Sequence, residues 1–147
     1  MAAMVMSVDI DRAPEEVFAY VDDLSRHHEW QEDLIGSRVL TEGPTRVGTK
    51  VVDSRKLGGS VREVEYEIIE RDPPRRSAFR GTSGPIRPVG TVTFEPLDGG
   101  SRTRLTMTFD LEGRGIGKAF APMARKQAAK AIPESHAKLK AILEGRA

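Results

Sequence analysis

The sequence predicts an α+β fold, in which a curved antiparallel sheet of about seven strands wraps around a long C-terminal helix. Three observations lead to this prediction. A short alternating strand ending near Ile10 runs directly into a helix that begins at Pro14, and a second short helix follows. Period-two segments then fill most of the chain between residues 39 and 111. Finally, apolar residues recur at helical spacing from Ile116 to about Gly145.

Length and composition set the limits of this prediction. The chain has 147 residues, and we expect one domain spanning residues 1–147. A chain of this length buries about 70% of its unfolded surface, enough for a core without disulfide or metal crosslinks. It contains no cysteine, which excludes disulfides, thiolate zinc sites and cysteine nucleophiles.

The charge balance argues against a polyanionic partner. The formal net charge is +1, so no global field favours nucleic acid, and we predict no nucleic-acid binding. Residues 1–6 lack the basic start of a signal peptide, and no apolar run is long enough to span a bilayer. We therefore expect a soluble cytoplasmic protein.

The first two helices follow from local signals. Pro14 suits the first helical position, where a missing N–H costs nothing, although Ala13 before it is a weak N-cap. A second short helix is predicted over residues 25–30, with Ser25 as its cap.

Alternation and turn residues define the strands. The clearest strand places Val64, Tyr66 and Ile68 on one face. Other strands are predicted at residues 39–40, 47–52 and 77–81, around Val92 and Phe94, and over 105–111, with hairpin turns at 57–60 and 98–100. Pro85 and Pro88 interrupt the pattern, so the segment around them is predicted to be irregular or at a sheet edge.

The C-terminal helix contains an internal proline. Pro133 removes one backbone donor and clashes with the preceding turn. We therefore predict a kink or break over residues 129–133.

Several segments together resemble a known superfamily. Residues 5–23, Trp30, the strand start at 100–106 and the terminal segment 139–144 resemble the SRPBCC (START-like, pollen-allergen-like) superfamily, and in particular its polyketide cyclase/dehydrase-like branch. The resemblance covers nearly the whole chain. It implies a helix-grip fold with a hydrophobic cavity between the sheet and the C-terminal helix. Pro133 departs from the uninterrupted helix of that family.

The first functional hypothesis is a non-catalytic carrier or sensor of a small hydrophobic molecule that is lipid-like, polyketide-like or isoprenoid-like. The chain shows no convergent polar constellation, and no cofactor is predicted. The residues predicted to face inward and contact the ligand are Trp30, Tyr66, Phe94, Met107, Phe109, Phe120 and Met123.

Two other classes remain as alternatives. A polyketide cyclase- or dehydratase-like enzyme needs an inward polar residue, for which Tyr66, Arg55 and Arg80 are the candidates. The glutamates at 63, 65 and 67 are predicted to face solvent, and one turned inward is a candidate general base. A protein-interaction module is the third class, although no heptad pattern favours it. No particular oligomeric state is predicted.

Three short motifs are weak candidates for chemistry. His27, His28 and Glu29 suggest a metal site, but adjacent helical residues point about 100° apart, so we predict a solvated helix end and no metal. Residues 113–118 (Gly-Arg-Gly-Ile-Gly-Lys) fail the phosphate-loop spacing and are predicted to be a flexible turn. Ser83 lies in no nucleophile elbow and is predicted to be a turn residue.

The C-terminal helix is locally basic. Its acidic residues are Glu134 and Glu144, and its basic residues are Lys118, Arg125, Lys126, Lys130, Lys138, Lys140 and Arg146. We interpret this as a solvated helix face. The alternative is weak contact with an anionic membrane surface, where each basic residue contributes about 1 kcal/mol.

Overall fold

An antiparallel sheet forms the body of the protein. The computed structural model describes residues 3–57 and 59–145. In chain order the elements are β1 (Met4–Ile10), α1 (Pro14–Asp22), a 3-10 turn (Leu24–Arg26), α2 (His27–Trp30), β2 (Leu34–Val39), β3 (Lys50–Leu57), β4 (Ser60–Asp72), β5 (Arg76–Gly81), β6 (Ile86–Leu97), a second 3-10 turn (Asp98–Gly100), β7 (Arg102–Gly113) and α3 (Gly117–Leu143). The seven described strands lie in the order β1-β7-β6-β5-β4-β3-β2. The predicted α+β helix-grip architecture is confirmed.

A core of large side chains joins the short helices, the sheet and α3. Phe18 of α1 meets Phe94 of β6 edge-on, with 5.0 Å between the ring centroids. Leu105 of β7 and Leu139 of α3 are almost fully buried in the same cluster. This core holds the C-terminal part of α3 against the sheet, while the middle of α3 covers the cavity described below.

The start of α1 is confirmed, and the cap predicted for the next helix is wrong. Pro14 begins α1, and Ala13 makes no side-chain cap. Asp23, not Ser25, caps the following turn, because Asp23 Oδ1 accepts the backbone N–H of Ser25 at 3.1 Å. An aspartate before the turn provides the acceptor that the orphan N–H groups need.

The strands on either side of the first long loop are displaced from their predicted positions. β2 begins at Leu34, well before residues 39–40, and β3 runs over Lys50–Leu57 instead of 47–52. Because β2 is an edge strand with mostly exposed side chains, it has no apolar alternation to reveal it. Of the turn predicted at 57–60, Gly58 lies outside the described residues.

The prolines near residue 88 do not make the segment irregular. Pro88 is buried within the regular strand β6, which lies between β5 and β7 in the sheet. Pairing with β5 extends from Thr93 only to Val89, however, whereas pairing with β7 continues through Pro88. At Pro88 the strand is therefore a local edge, which is where a residue without an N–H is tolerated.

The break predicted in the C-terminal helix is wrong. α3 is one helix over Gly117–Leu143, with Pro122 and Pro133 inside it. Pro133 deprives the Ala129 carbonyl of its usual N–H partner. Both residues lie on the exposed face of α3, so water can satisfy that carbonyl and the proline ring does not meet the sheet.

Candidate functional site

A cavity of about 190 Å³ lies between the inner face of the sheet and α3. Its wall is mostly apolar and comes from α1, α2, strands β3 to β7 and α3. An apolar protein cavity of about 150 Å³ is large enough to bind benzene. The cavity therefore has room for a small hydrophobic molecule.

The cavity exists because α3 presents small side chains to the sheet. Ala124, Ala128 and Ala131 line it, together with Ile132 on the next turn. These positions recur at steps of three or four residues and so share one face of the helix. Larger side chains on this face would fill the space.

Five of the residues predicted to contact a ligand lie in the cavity wall. They are Trp30, Tyr66, Phe94, Met107 and Phe109. They come from α2 and from strands β4, β6 and β7, which the sheet brings together. Their contact with a ligand stays a prediction.

The other two predicted residues do not line the cavity. Phe120 is 41% exposed and Met123 is 49% exposed, on the outer side of α3. The Arg62 guanidinium lies 5.9 Å from the Phe120 ring centroid. Their predicted inward orientation was wrong because we expected the large apolar residues of the helix to face the sheet, whereas its alanines do.

An aromatic row forms part of the sheet-side wall. The Phe79 ring lies 5.5 Å from the Tyr66 ring and 6.4 Å from the Phe109 ring. Gly90 makes this position possible, since a Cβ there would lie 2.5 Å from the Phe79 ring. Glycine on β6 thus leaves the room that the Phe79 ring occupies beside the neighbouring strand.

A buried ionic cluster occupies one part of the cavity wall. Arg55 Nη2 donates to Asp53 Oδ2 at 2.9 Å, and Nη1 donates to Asp33 Oδ1 at 2.7 Å. Gln31 Oε1 accepts a further bond from Arg55, and Ser37 Oγ donates to Asp53 Oδ1 at 2.7 Å. Burial opposes the charge of Arg55, but Asp53 and Asp33 outweigh it and raise the pKa of Arg55 above its ordinary value.

Two donors at the cavity lack a protein partner. The Tyr66 hydroxyl has no hydrogen bond to any described residue, and the side chain is 7% exposed. Burial, followed by the nearby charge of Asp53, raises the pKa of Tyr66, so its hydroxyl stays protonated. The indole Nε1 of Trp30 is buried and also has no partner among the described residues.

Both buried histidines are neutral near pH 7. His27 Nε2 donates to the Val21 carbonyl oxygen at 2.7 Å, which leaves Nδ1 as the acceptor of the neutral ring. Burial lowers the pKa of His27, and burial lowers the pKa of His136 to about 4. The prediction that residues 27–29 form a solvated helix end was therefore wrong for His27, which lines the cavity with His136.

The remaining chemical candidates lie away from the cavity. Arg80 is exposed on the outer face of β5, so its inward orientation was wrong. Glu63 is exposed, the glutamates at 65 and 67 are half-buried, and none of the three lines the cavity.

Of the weaker motifs, Ser83 is an exposed bend residue. The link at 114–116 is a turn between β7 and α3. Among the described residues, no group of three or more His, Cys, Asp or Glu is arranged to hold a metal ion.

The basic side chains of α3 are partly neutralised within the protein. Arg125 lies 2.8 Å from Asp110, Lys138 is 3.7 Å from Glu32, and Lys140 is 3.1 Å from Glu144. The exposed cations without an ion pair among the described residues of α3 are Lys118, Lys126 and Lys130. Arg146 lies outside the described residues.

Of the helices in the described ranges, none combines the length and apolarity needed to cross a membrane. Membrane-surface contact stays a prediction.

Sequence reasoning missed the ionic part of the site. Arg55 was a candidate, but Asp53 and Asp33 were not. The available signal was the alternation of β3, which places Val51, Asp53 and Arg55 on one face. An aspartate two residues from an arginine on an inward face indicates a buried pair, whereas the third member, Asp33, comes from a loop that no periodicity connects to β3.

One family model and a relative of similar length match nearly the whole chain. The family described as "Polyketide cyclase / dehydrase and lipid transport" matches residues 1–144. An uncharacterized protein of Mycobacterium tuberculosis is 28% identical over 133 residues, covering 90% of this chain and 89% of its own.

Two solved structures show the same fold. A START superfamily protein from Mycobacterium smegmatis has a TM-score of 0.79 at 15% identity, with 100% of both chains covered. The Zhui aromatase/cyclase of a Streptomyces species has a TM-score of 0.75 at 18% identity, covering 98% of this chain and 92% of that one.

Proposed function

Because the chain belongs to the polyketide cyclase/dehydrase and lipid transport family of the SRPBCC superfamily, a family of hydrophobic ligand-binding domains, we propose that it carries or senses a small hydrophobic molecule without catalysing its conversion. The ligand class is lipid-like, polyketide-like or isoprenoid-like. The observation that carries the proposal is the apolar cavity of about 190 Å³ under α3.

The aromatic wall supplies the binding contacts. Trp30, Tyr66, Phe94, Met107 and Phe109 offer ring faces and a flexible thioether to an apolar ligand. Phe120 and Met123 are not part of the proposed binding site because they are exposed on the outside of α3.

Filling the cavity should weaken ligand binding without disturbing the fold. Ala128 lines the cavity, so Ala128→Leu places a larger side chain in the empty space. Wild type is expected to bind naphthalene with one site in isothermal titration calorimetry. Ala128→Leu is expected to weaken that binding by at least about tenfold, since the leucine occupies ligand volume.

The adjacent residue provides a matched control. Ala129 is exposed and does not line the cavity, so Ala129→Leu should bind naphthalene like the wild type. Circular dichroism checks that both variants keep the helix. Wild type without binding, or equal binding by both leucine variants, contradicts the proposal.

A cyclase- or dehydratase-like reaction is the second candidate function, favoured by the unpartnered hydroxyl of Tyr66. In this reaction a β-hydroxyketone loses its α-proton and its β-hydroxyl, which leave together as water. The Tyr66 hydroxyl would donate a hydrogen bond to the ketone oxygen while the negative charge develops there. A phenyl-substituted β-hydroxyketone tests this, since its dehydration forms a conjugated enone that absorbs in the ultraviolet. If the protein is an enzyme, Tyr66→Phe should slow enone formation by about a hundredfold. An unchanged background rate in the presence of wild type rejects this candidate.

A further inference from the structure

The charges around the cavity do not suit an anionic ligand. The one cation in its described wall is Arg55, whereas the carboxylates are Asp22, Asp33 and Asp53. Arg71 lies outside the wall and neutralises Asp22 through two contacts, at 3.1 and 2.8 Å. Counting Arg71, two cations face three carboxylates, so the surroundings of the cavity are net negative.

Arg55 is not available to receive a ligand anion. Both of its terminal nitrogens already bond to carboxylates, and its side chain is only 23% exposed. An incoming carboxylate would have to displace Asp33 or Asp53 or remain beside them without a countercharge. In an environment of low dielectric this like-charge repulsion is strong.

The histidines add no positive charge. Burial lowers the pKa of His27 and keeps its ring neutral, while Nε2 donates to the Val21 carbonyl oxygen. His136 is 4% exposed and has no carboxylate among its hydrogen-bond partners. The remaining polar side chains of the wall are uncharged, and two of them are neutral donors without a described partner.

Those neutral donors define what the site can accept. Tyr66 is 7% exposed and lines the cavity, and its hydroxyl has no partner among the described residues. Trp30 also lines the cavity, and its buried indole N–H has no partner in the described part of the chain. A carbonyl or hydroxyl oxygen on the ligand would satisfy such a donor without bringing a charge.

We propose that the cavity selects uncharged hydrophobic ligands that carry a carbonyl or hydroxyl oxygen, and rejects ligands of the same shape that end in a carboxylate. This inference rests on the proposed function and narrows it to one chemical class. The selection has two sources: Tyr66 donates to the neutral oxygen, and Asp33 and Asp53 repel an anion.

Three probes of similar size separate the two sources. Calorimetry at pH 7.5 compares naphthalene, the methyl ketone acetylnaphthalene and the carboxylate naphthoate. Acetylnaphthalene is expected to bind at least about tenfold tighter than naphthoate, because a site with unpaired neutral donors and no free cation discriminates against the anion. Tyr66→Phe should weaken acetylnaphthalene binding about fivefold more than it weakens naphthalene binding, because only the ketone accepts a hydrogen bond from the hydroxyl.

The repulsive element is tested by removing one charge. Asp33→Asn should strengthen naphthoate binding by about fivefold or more, because it removes a negative charge beside Arg55 while keeping a side chain of the same size. Glu32→Gln removes a neighbouring carboxylate that lies outside the cavity wall, so it should leave the ratio of ketone to carboxylate affinity unchanged.

The outcomes distinguish this inference from the function it rests on. Failure of all three probes to bind overturns the proposed function and the inference together. Binding of naphthalene with naphthoate as tight as acetylnaphthalene overturns the inference alone. Equal effects of Asp33→Asn and Glu32→Gln on the affinity ratio also overturn it.

Discussion

Arg55→Met is expected to destabilise the protein by about 3 kcal/mol, the lower end of the range for removing one partner of a buried ion pair. The substitution leaves the Asp53 carboxylate, 2% exposed, without the guanidinium that lies 2.9 Å away. Ser37 still donates to Asp53, but a neutral hydroxyl does not replace the charge. Urea unfolding at pH 7, followed by circular dichroism, measures the change.

Two variants show that burial causes this effect. Arg104→Met removes an exposed partner of Asp9 and should change the free energy of unfolding little, since exposed ion pairs contribute little. The double variant Asp53→Asn with Arg55→Met removes both charges of the pair and should recover part of the loss. An Arg55→Met variant as stable as Arg104→Met would show that the cluster is not a buried ion pair.

Acidification is expected to weaken the fold between about pH 6.5 and pH 4. Burial lowers the pKa of His136 from 6.5 to about 4 in the folded protein. Between these pH values the unfolded chain binds a proton that the folded chain excludes. The free energy of unfolding therefore falls as the pH drops from 6.5 towards 4, and this contribution levels off below pH 4. A difference of one in pKa between the folded and unfolded chain corresponds to 1.36 kcal/mol, so the free energy of unfolding should fall by about 3 kcal/mol over this range.

Substituting the histidine identifies the source of the pH dependence. His136→Gln should flatten the dependence of the melting temperature on pH over this range, compared with wild type. His28→Gln changes an exposed histidine and should leave the dependence as it is. His27 has a lowered pKa as well, so His136→Gln should keep part of the slope. An unchanged slope in His136→Gln would show that His136 does not titrate as a buried group.

Most of the sheet could be predicted from the sequence because apolar and polar residues alternate within each strand that has one buried face. Val64, Tyr66 and Ile68 of β4 face the cavity as predicted. Phe94 of β6 and Met107 and Phe109 of β7 do so as well. β2 could not be located in this way, because an exposed edge strand has no buried face to impose a pattern.

The helix covering the cavity shows where local patterns stop being informative. Its sequence contains two apolar stripes, one of large residues that includes Phe120 and one of alanines that includes Ala128. Either stripe could pack against the sheet by periodicity alone. The structure turns the alanine side towards the sheet and leaves Phe120 exposed, so the space beneath the alanines remains open as the cavity.

By itself, the sequence determined the order of the elements, the α+β class and the inward face of the clearest strand. These follow from the spacing of apolar residues along each segment and from the order of the segments. Only the tertiary structure decided that Arg55 is bonded to Asp53 and Asp33, that His27 and His136 are buried, and that the Tyr66 hydroxyl has no partner among the described residues. These features depend on contacts between segments distant in the chain, and those contacts determine which polar groups remain to bind a ligand.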